Sequence, residues 1–266
     1  MDKSRRTIDD FSDQWKIHGA LPDDFWTSNQ MLLDYLCDLV NPREFEGQRI
    51  AEIGSGSGRI IRMLSVYNPE KLVAVEPGSS IQVLKNNTRD LKNLEIQNVK
   101  GHEFELSDFD TILSLGVIHH IPDPEPVVRN IYKSLRKGGK FIIWVYGIEG
   151  NELYYFFYRY FSKFTKVMPD PLLNILSDFL QLVVFSYGKA SKFIFKSKLP
   201  MSDYINNVFN PCSRTARKYI VFDQLNPEYA KYYKSNELFE LLKKCGFDNI
   251  EIVHRHGYSH TAVATK

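Results

Sequence analysis

"AEIGSGSGRI", residues 51–60, decides the fold. A short apolar run ends at Ile53, three glycines alternate at Gly54, Gly56 and Gly58, and a segment of helical apolar spacing follows. Glycine accepts backbone conformations that other residues resist, and it lets another group come close to the main chain. Between a strand and a helix of a parallel sheet, such a turn is a ligand loop.

The neighbouring residues say which ligand. Dinucleotide loops follow G-x-G-x-x-G, whereas here Arg59 stands where that pattern wants its last glycine. Glu52 precedes the loop; a carboxylate there repels a pyrophosphate but can hold a cationic amino group. Glu76 ends the next apolar run, where a carboxylate accepts hydrogen bonds from ribose hydroxyls. The implied ligand has a ribose and an ammonium and needs no phosphate. S-adenosylmethionine fits, with its carboxylate at the helix N-terminus near Ser57–Arg59.

Working outward, strands are expected at 49–53, 71–76, 94–101, 109–116 and 140–147, with helices between them. The helix "PEPVVRNIYKSLRKGG" is expected to be stopped by Gly138-Gly139. Such alternation predicts a parallel sheet with helices on both faces. Residues 1–47 read as helices punctuated by aromatics. The pattern breaks over 148–234 and resumes with the helix "SNELFELLKKCG" and two closing strands.

"AEIGSGSGR", "VAVEPG", "FDTILSLGVIHHIPDP" and "LRKGGKFIIWVYG" together resemble the class I S-adenosylmethionine-dependent methyltransferases, over about 45–147 and again 235–265. The resemblance implies a Rossmann-like α/β fold: a seven-stranded, mostly parallel sheet with helices on both faces, here with a helical insertion after strand five. It implies three parts: an N-terminal helical cofactor cover (1–47), a cofactor-binding core (48–147 and 235–266) and an inserted helical lid (148–234). By position it assigns Gly54, Ser55, Gly56 and Gly58 to the methionine part and Glu76, with Pro77, to the ribose. Leu115 and Gly116 would give backbone contacts to the amino group. Where the family often has Gly-Asp-Ala after strand three, this chain has Gly101-His102-Glu103, so His102 or Glu103 is expected at the adenine. "FSDQW" resembles an aromatic motif of small-molecule members in which Phe11 and Trp15 cover the cofactor.

Methyl transfer from a sulfonium requires an in-line nucleophile and, for a hydroxyl, a proton acceptor. Histidine suits that role near neutral pH, and His119, His120 and His256 are the candidates. His254 and His256 alternate on a strand, but nothing completes a ligand set, so no metal is expected. The aromatic, lysine-bearing insertion reads as a substrate lid, a homo-oligomer interface or a membrane-surface helix pair. Its "VFDQLNPEYAKYY" resembles segments of methyltransferases from sugar and surface-polysaccharide pathways. Tyr146, Asp223, Tyr229 and Tyr258 are the expected acceptor contacts.

Bulk properties narrow the class. The chain has 266 residues, 43% hydrophobic and 25% charged, which supports a core and argues against bulk disorder. A net charge of +2 does not provide the dense basic face of a nucleic-acid binder. "PLLNILSDFLQLVVFSYG", broken by Asp178 and Gln181, reads as too short and too polar to span a bilayer. Three scattered cysteines and a polar, charged start point to the cytoplasm. The expected function is therefore S-adenosylmethionine-dependent O- or N-methylation of a small molecule, such as a sugar or nucleotide-linked sugar, by a monomer or homodimer with no nucleic-acid partner. A lipid-linked acceptor and a non-catalytic regulator are the alternatives.

Overall fold

The computed structural model describes residues 3–194 and 199–266; residues 1–2 of the expected N-terminal cover and 195–198 of the insertion lie outside them. Seven strands form one sheet: β1 (Arg49–Ile53), β2 (Lys71–Val75), β3 (Leu94–Gln97), β4 (Phe109–Leu115), β5 (Leu135–Tyr146), β6 (Asp248–Arg255) and β7 (Ser259–Thr265). Their order is β3-β2-β1-β4-β5-β7-β6. β7 runs antiparallel to both β5 and β6, and the other pairings are parallel.

Alternation along each strand divides the side chains between two layers. Ala51, Ile53, Val73, Val75, Ile112 and Ile143 face α5 (Glu125–Ser134) and α10 (Ser235–Lys244). Ile50, Leu72, Leu113 and Ile142 face α2 (Asn29–Leu36) and α3 (Arg59–Ser65), with α4 (Ile81–Asn87) contributing Leu84. By this alternation Glu52 falls on the second face, among apolar neighbours.

The "LRKGG" segment departs from expectation. α5 ends at Ser134, Leu135 is already extended, and the pairing of β4 with β5 is irregular between Phe109 and Thr111. The residue following β7 bonds to this segment: Gly138 donates to the Lys266 carbonyl (2.7 Å) and Lys266 donates to that of Gly139 (2.9 Å). The glycines thus serve a strand bulge rather than a helix stop.

α1 (Lys3–His18) brings Phe11, Gln14 and Trp15 to one cavity wall. After β5 come α6 (Glu152–Thr165), α7 (Asp170–Ile194), α8 (Ser202–Tyr204) running on as a π-helical turn over Ile205–Phe209, and α9 (Arg214–Leu225). The returning chain bonds back to the sheet, Tyr233 donating to the Tyr146 carbonyl at 2.8 Å. By length and composition α7 is long and apolar enough to cross a membrane, since an 18-residue window within Asp170–Phe193 has a mean hydropathy of 1.2. The reading of this stretch as too short and too polar is therefore corrected: the helix extends beyond the quoted segment at its C-terminal end.

Candidate active site

The strand order reverses between β1 and β4, and in open α/β sheets that crevice holds the ligand. Here a cavity of about 240 Å³ opens beside the turns that follow β1 and β4. Gly54 and Gly56 both adopt left-handed conformations, with φ of 82° and 50°. A side chain on Gly54 would run into Val117, and one on Gly56 would come within 2.9 Å of Trp15 Nε1. Gly58 does not line the cavity. A Cβ there would come within 2.9 Å of Thr88, so this glycine lets α3 pack closely on its neighbour.

Two buried carboxyl groups flank the loop. Glu76 accepts from Gly56 N–H (2.9 Å), Gly78 N–H (3.3 Å) and Ser80 Oγ (3.0 Å), which fixes its plane beside the glycine turn. Burial raises its pKa against those hydrogen bonds. Glu52 is less well satisfied. Burial pushes it up to about 8, opposed by the nearby Arg59 charge, and its Oε2 has no hydrogen-bond partner among the described residues.

Phe11, Trp15, Ser55, Pro77, His102, Leu115, Gly116, Tyr146, Asp223 and Tyr258 also line the cavity, as the sequence suggested. Besides Gly58, four expected residues do not. Glu103 is exposed, and its carboxylate accepts from Lys100 N–H at 3.2 Å. Tyr229 enters through its backbone: its carbonyl lies 2.8 Å from His120 Nδ1. His256 sits in the β6–β7 turn with φ +48° and is held by Asp34 (2.7 Å) and Asp203 (2.5 Å), outside the cavity. His119 is sealed against Tyr146, with ring centroids 3.9 Å apart, and both of its nitrogens lack partners.

His120 is placed differently from His119. With the Tyr229 carbonyl as acceptor, Nδ1 carries the proton, so Nε2 keeps its lone pair. That Nε2 is buried and unpartnered, and the residue lines the cavity. Burial lowers the pKa, partly offset by Asp223, so the ring is neutral at physiological pH. Asp223 ties the cavity walls together, accepting from Gln14 Nε2 (2.9 Å) on α1 and Tyr146 Oη (3.2 Å) on β5.

Sequence reasoning missed several wall residues. Arg59 stacks over Trp26 at 4.6 Å and donates to the Trp26 carbonyl at 3.0 Å. Its departure from the dinucleotide pattern was the available signal. Gln14, Trp144 and Tyr219 also line the cavity, but they converge from α1, β5 and α9 and carry no local motif.

Buried polar atoms normally have partners. Gln14 Oε1, Glu52 Oε2, His120 Nε2 and Trp144 Nε1 belong to cavity-lining residues and have none among the described residues. This donor and acceptor set, with glycine backbone between the two carboxyl groups, fits a nucleoside bearing an ammonium and a carboxylate. Residues 51–143 match the family described as Methyltransferase domain. Residues 51–143 thus carry a methyltransferase domain, as the resemblance implied, and S-adenosylmethionine is the cofactor that this site fits.

Solved methyltransferases share this fold. Magnesium protoporphyrin IX methyltransferase of Synechocystis PCC 6803, solved with bound S-adenosylmethionine, aligns over 100% of this chain and 98% of its own, at a TM-score of 0.55 and 11% identity. A methyltransferase from Thermotoga maritima aligns over 98% and 99%, at 0.52 and 16%. Among curated proteins, the tRNA U34 carboxymethyltransferase of Sulfurovum sp. is 29% identical over 62% of this chain and 55% of its own. That of Sulfurimonas denitrificans is 28% identical over 52% and 47%. The chain thus spans about half the length of these relatives. Their names overturn the expectations of a small-molecule acceptor and of no nucleic-acid partner. Net charge is a sum over the whole chain, and it does not report on a local nucleic-acid path.

Proposed function

We propose that this chain transfers a one-carbon or carboxymethyl group from an S-adenosyl sulfonium to a nucleotide of tRNA. The observation that carries the chemistry is the cavity running from the glycine loop to the unpartnered Nε2 of His120. The choice of acceptor rests on relatives named for tRNA U34. S-adenosylmethionine supplies an activated methyl group, and a carboxymethyl transferase needs a carboxylated counterpart of it.

In this reading the chain's own residues bind, orient and accept a proton. Glu76, held by Gly56 and Ser80, takes the ribose hydroxyls. Glu52 meets the ammonium. Gly101 and His102 flank the purine, and Phe11 and Trp15 cover it. Arg59 and Lys100 are the lysine and arginine side chains lining the cavity among the described residues, and either can pair with a carboxylate. His120 Nε2 accepts the acceptor's proton while Nδ1–H stays on the Tyr229 carbonyl. Tyr219 and Asp223 on α9 form the far wall, so the insertion covers the acceptor side.

The test is direct. The purified chain is incubated with tRNA lacking wobble-uridine modification and with isotopically labelled S-adenosylmethionine or its carboxylated counterpart. Nuclease digestion and mass spectrometry then locate the label. Label on the wobble uridine supports the reading, and the added mass distinguishes methyl from carboxymethyl. A protein that binds S-adenosylhomocysteine yet labels no tRNA with either donor overturns it.

A further inference from the structure

The α6–α7 hairpin is apolar on its outer side. Its inward side carries Ser162, Thr165, Ser177, Gln181 and Ser191, all buried, beside Tyr158 and Leu173. These side chains are bonded within the insertion: Thr165 Oγ1 donates to the Leu225 carbonyl (3.0 Å), Gln181 Oε1 accepts from Arg217 (3.1 Å), and Ser191 Oγ accepts from Asn206 (3.0 Å). The outward side is apolar. Phe164 is 70% exposed, Val167 81%, Ile175 69% and Phe193 81%, with Phe157 and Phe179 beside them. A surface helix in water arranges itself the other way, with its apolar stripe inward. Small and polar side chains between helices, with large apolar ones outside, suit a hydrocarbon surrounding.

The charges identify the occupant. Arg159, Lys163, Lys189 and Lys192 are exposed, and no carboxylate pairs with them among the described residues. Three of them sit over rings of the same hairpin, Arg159 over Tyr155, Lys163 over Tyr160 and Lys189 over Phe185. The carboxylate nearest the middle of α7, Asp178, is neutralised by Arg214 at 2.6 Å. A second copy docking through this face would set cation against cation. An anionic headgroup layer complements it, because apolar side chains can enter the acyl boundary while cations remain among phosphates.

We propose that the α6–α7 hairpin docks this protein on an anionic lipid surface. α7 has the length to cross a bilayer, but its inner side is bonded to α9 and the 205–209 turn. It therefore lies along the surface with one side in lipid. The cavity and its sulfonium chemistry are unaffected by this placement, so the proposal stands independently of the acceptor.

The experiment is co-sedimentation of the full chain with vesicles of phosphatidylcholine, alone or mixed with phosphatidylglycerol. Native protein is expected to pellet with the mixed vesicles and to be released by salt. A combined Phe157→Ser, Phe164→Ser, Ile175→Ser, Phe179→Ser variant is expected to stay in the supernatant while still binding S-adenosylhomocysteine. Should that variant fail to fold, Lys189→Gln with Lys192→Gln changes only exposed cations and is expected to weaken partition about 10- to 30-fold. Native protein that stays in the supernatant with both vesicle types overturns the proposal. If it then forms a concentration-dependent dimer lost in the serine variant, the face belongs to a second copy. Vesicle binding unchanged in both variants also overturns it.

Discussion

The glycine-loop end of the molecule and the α6–α7 hairpin solve opposite problems. Around β1 and β2, apolar side chains point inward, and the buried Glu76 is held by backbone N–H groups and Ser80. In the hairpin Ser177, Gln181 and Ser191 are buried beside Tyr158 and Leu173, while Phe164 and Ile175 face outward. The first region is finished as a core and left open only where a ligand completes its hydrogen bonds. The second has its apolar surface uncovered. A ligand therefore completes one region and a surface the other, and substitutions should separate the two.

The largest separation is expected from Gly56→Val. The residue has φ +50°, and a Cβ would meet the Trp15 indole. Strain and lost ligand space act together. Calorimetry should find no measurable S-adenosylhomocysteine binding, whereas Phe164→Ser in the hairpin should leave binding unchanged. Retained binding in Gly56→Val would show that the loop does not approach the ligand.

Next in size is His120→Gln. Removing a general base costs about 10²–10⁴-fold in the chemical step. Single-turnover transfer should fall by that amount with little change in cofactor affinity. His119→Gln is the control within the same pair, because its ring is sealed against Tyr146 and does not line the cavity. It should lower stability more than rate. Equal rate losses in both variants would assign the pair a shared packing role.

These two predictions also mark what could be read from the chain. The glycine loop, Glu52, Glu76 and the segment after β4 were legible because strand period and loop chemistry are local. Tyr229 was expected at the acceptor, but it reaches the site only through its carbonyl beside His120, a group that every residue possesses. Gln14 was not legible because its partner Asp223 is 209 residues away. His256 lies near the chemistry in sequence, yet its turn delivers it to Asp34 and Asp203. The hairpin was read as aromatic and lysine-bearing, but which face points outward depends on α9, which supplies the polar partners. The local resemblance of "VFDQLNPEYAKYY" pointed to a sugar acceptor, and the names of the relatives overturned it.

A smaller effect is expected from pH. Glu52 is raised from 4.5 to about 8 by burial. A carboxyl group raised on folding gives a stability contribution that is full below pH 4.5 and is lost as pH rises towards 8. By pH 7 the loss is about 3 kcal/mol. Glu52→Gln should therefore raise the Tm of the free protein at pH 8 and change it little at pH 4.5. For binding the sign is opposite. The cofactor's ammonium favours ionised Glu52, so affinity should rise up to about tenfold per pH unit between pH 6 and 8. That dependence should vanish in Glu52→Gln and with 5′-methylthioadenosine, which lacks the ammonium. A flat profile with the native chain would place the ammonium elsewhere.

The smallest effect is the one that most sharply tests the uncovered apolar face. Leu173 is 1% exposed on α7 and Ile175, two residues on, is 69% exposed. In water, truncating a buried leucine removes both its transfer free energy and the packing around it. Leu173→Ala should therefore cost about 2–4 kcal/mol in urea unfolding. Ile175→Ser removes a side chain that contacts mainly solvent, so its cost should stay within about 0.5 kcal/mol. The same Ile175→Ser should weaken vesicle partition, because in lipid that side chain becomes the buried one. If Ile175→Ser instead destabilises the free protein as much as Leu173→Ala, the outward face is already covered in solution, and the comparison between the two regions fails at the hairpin.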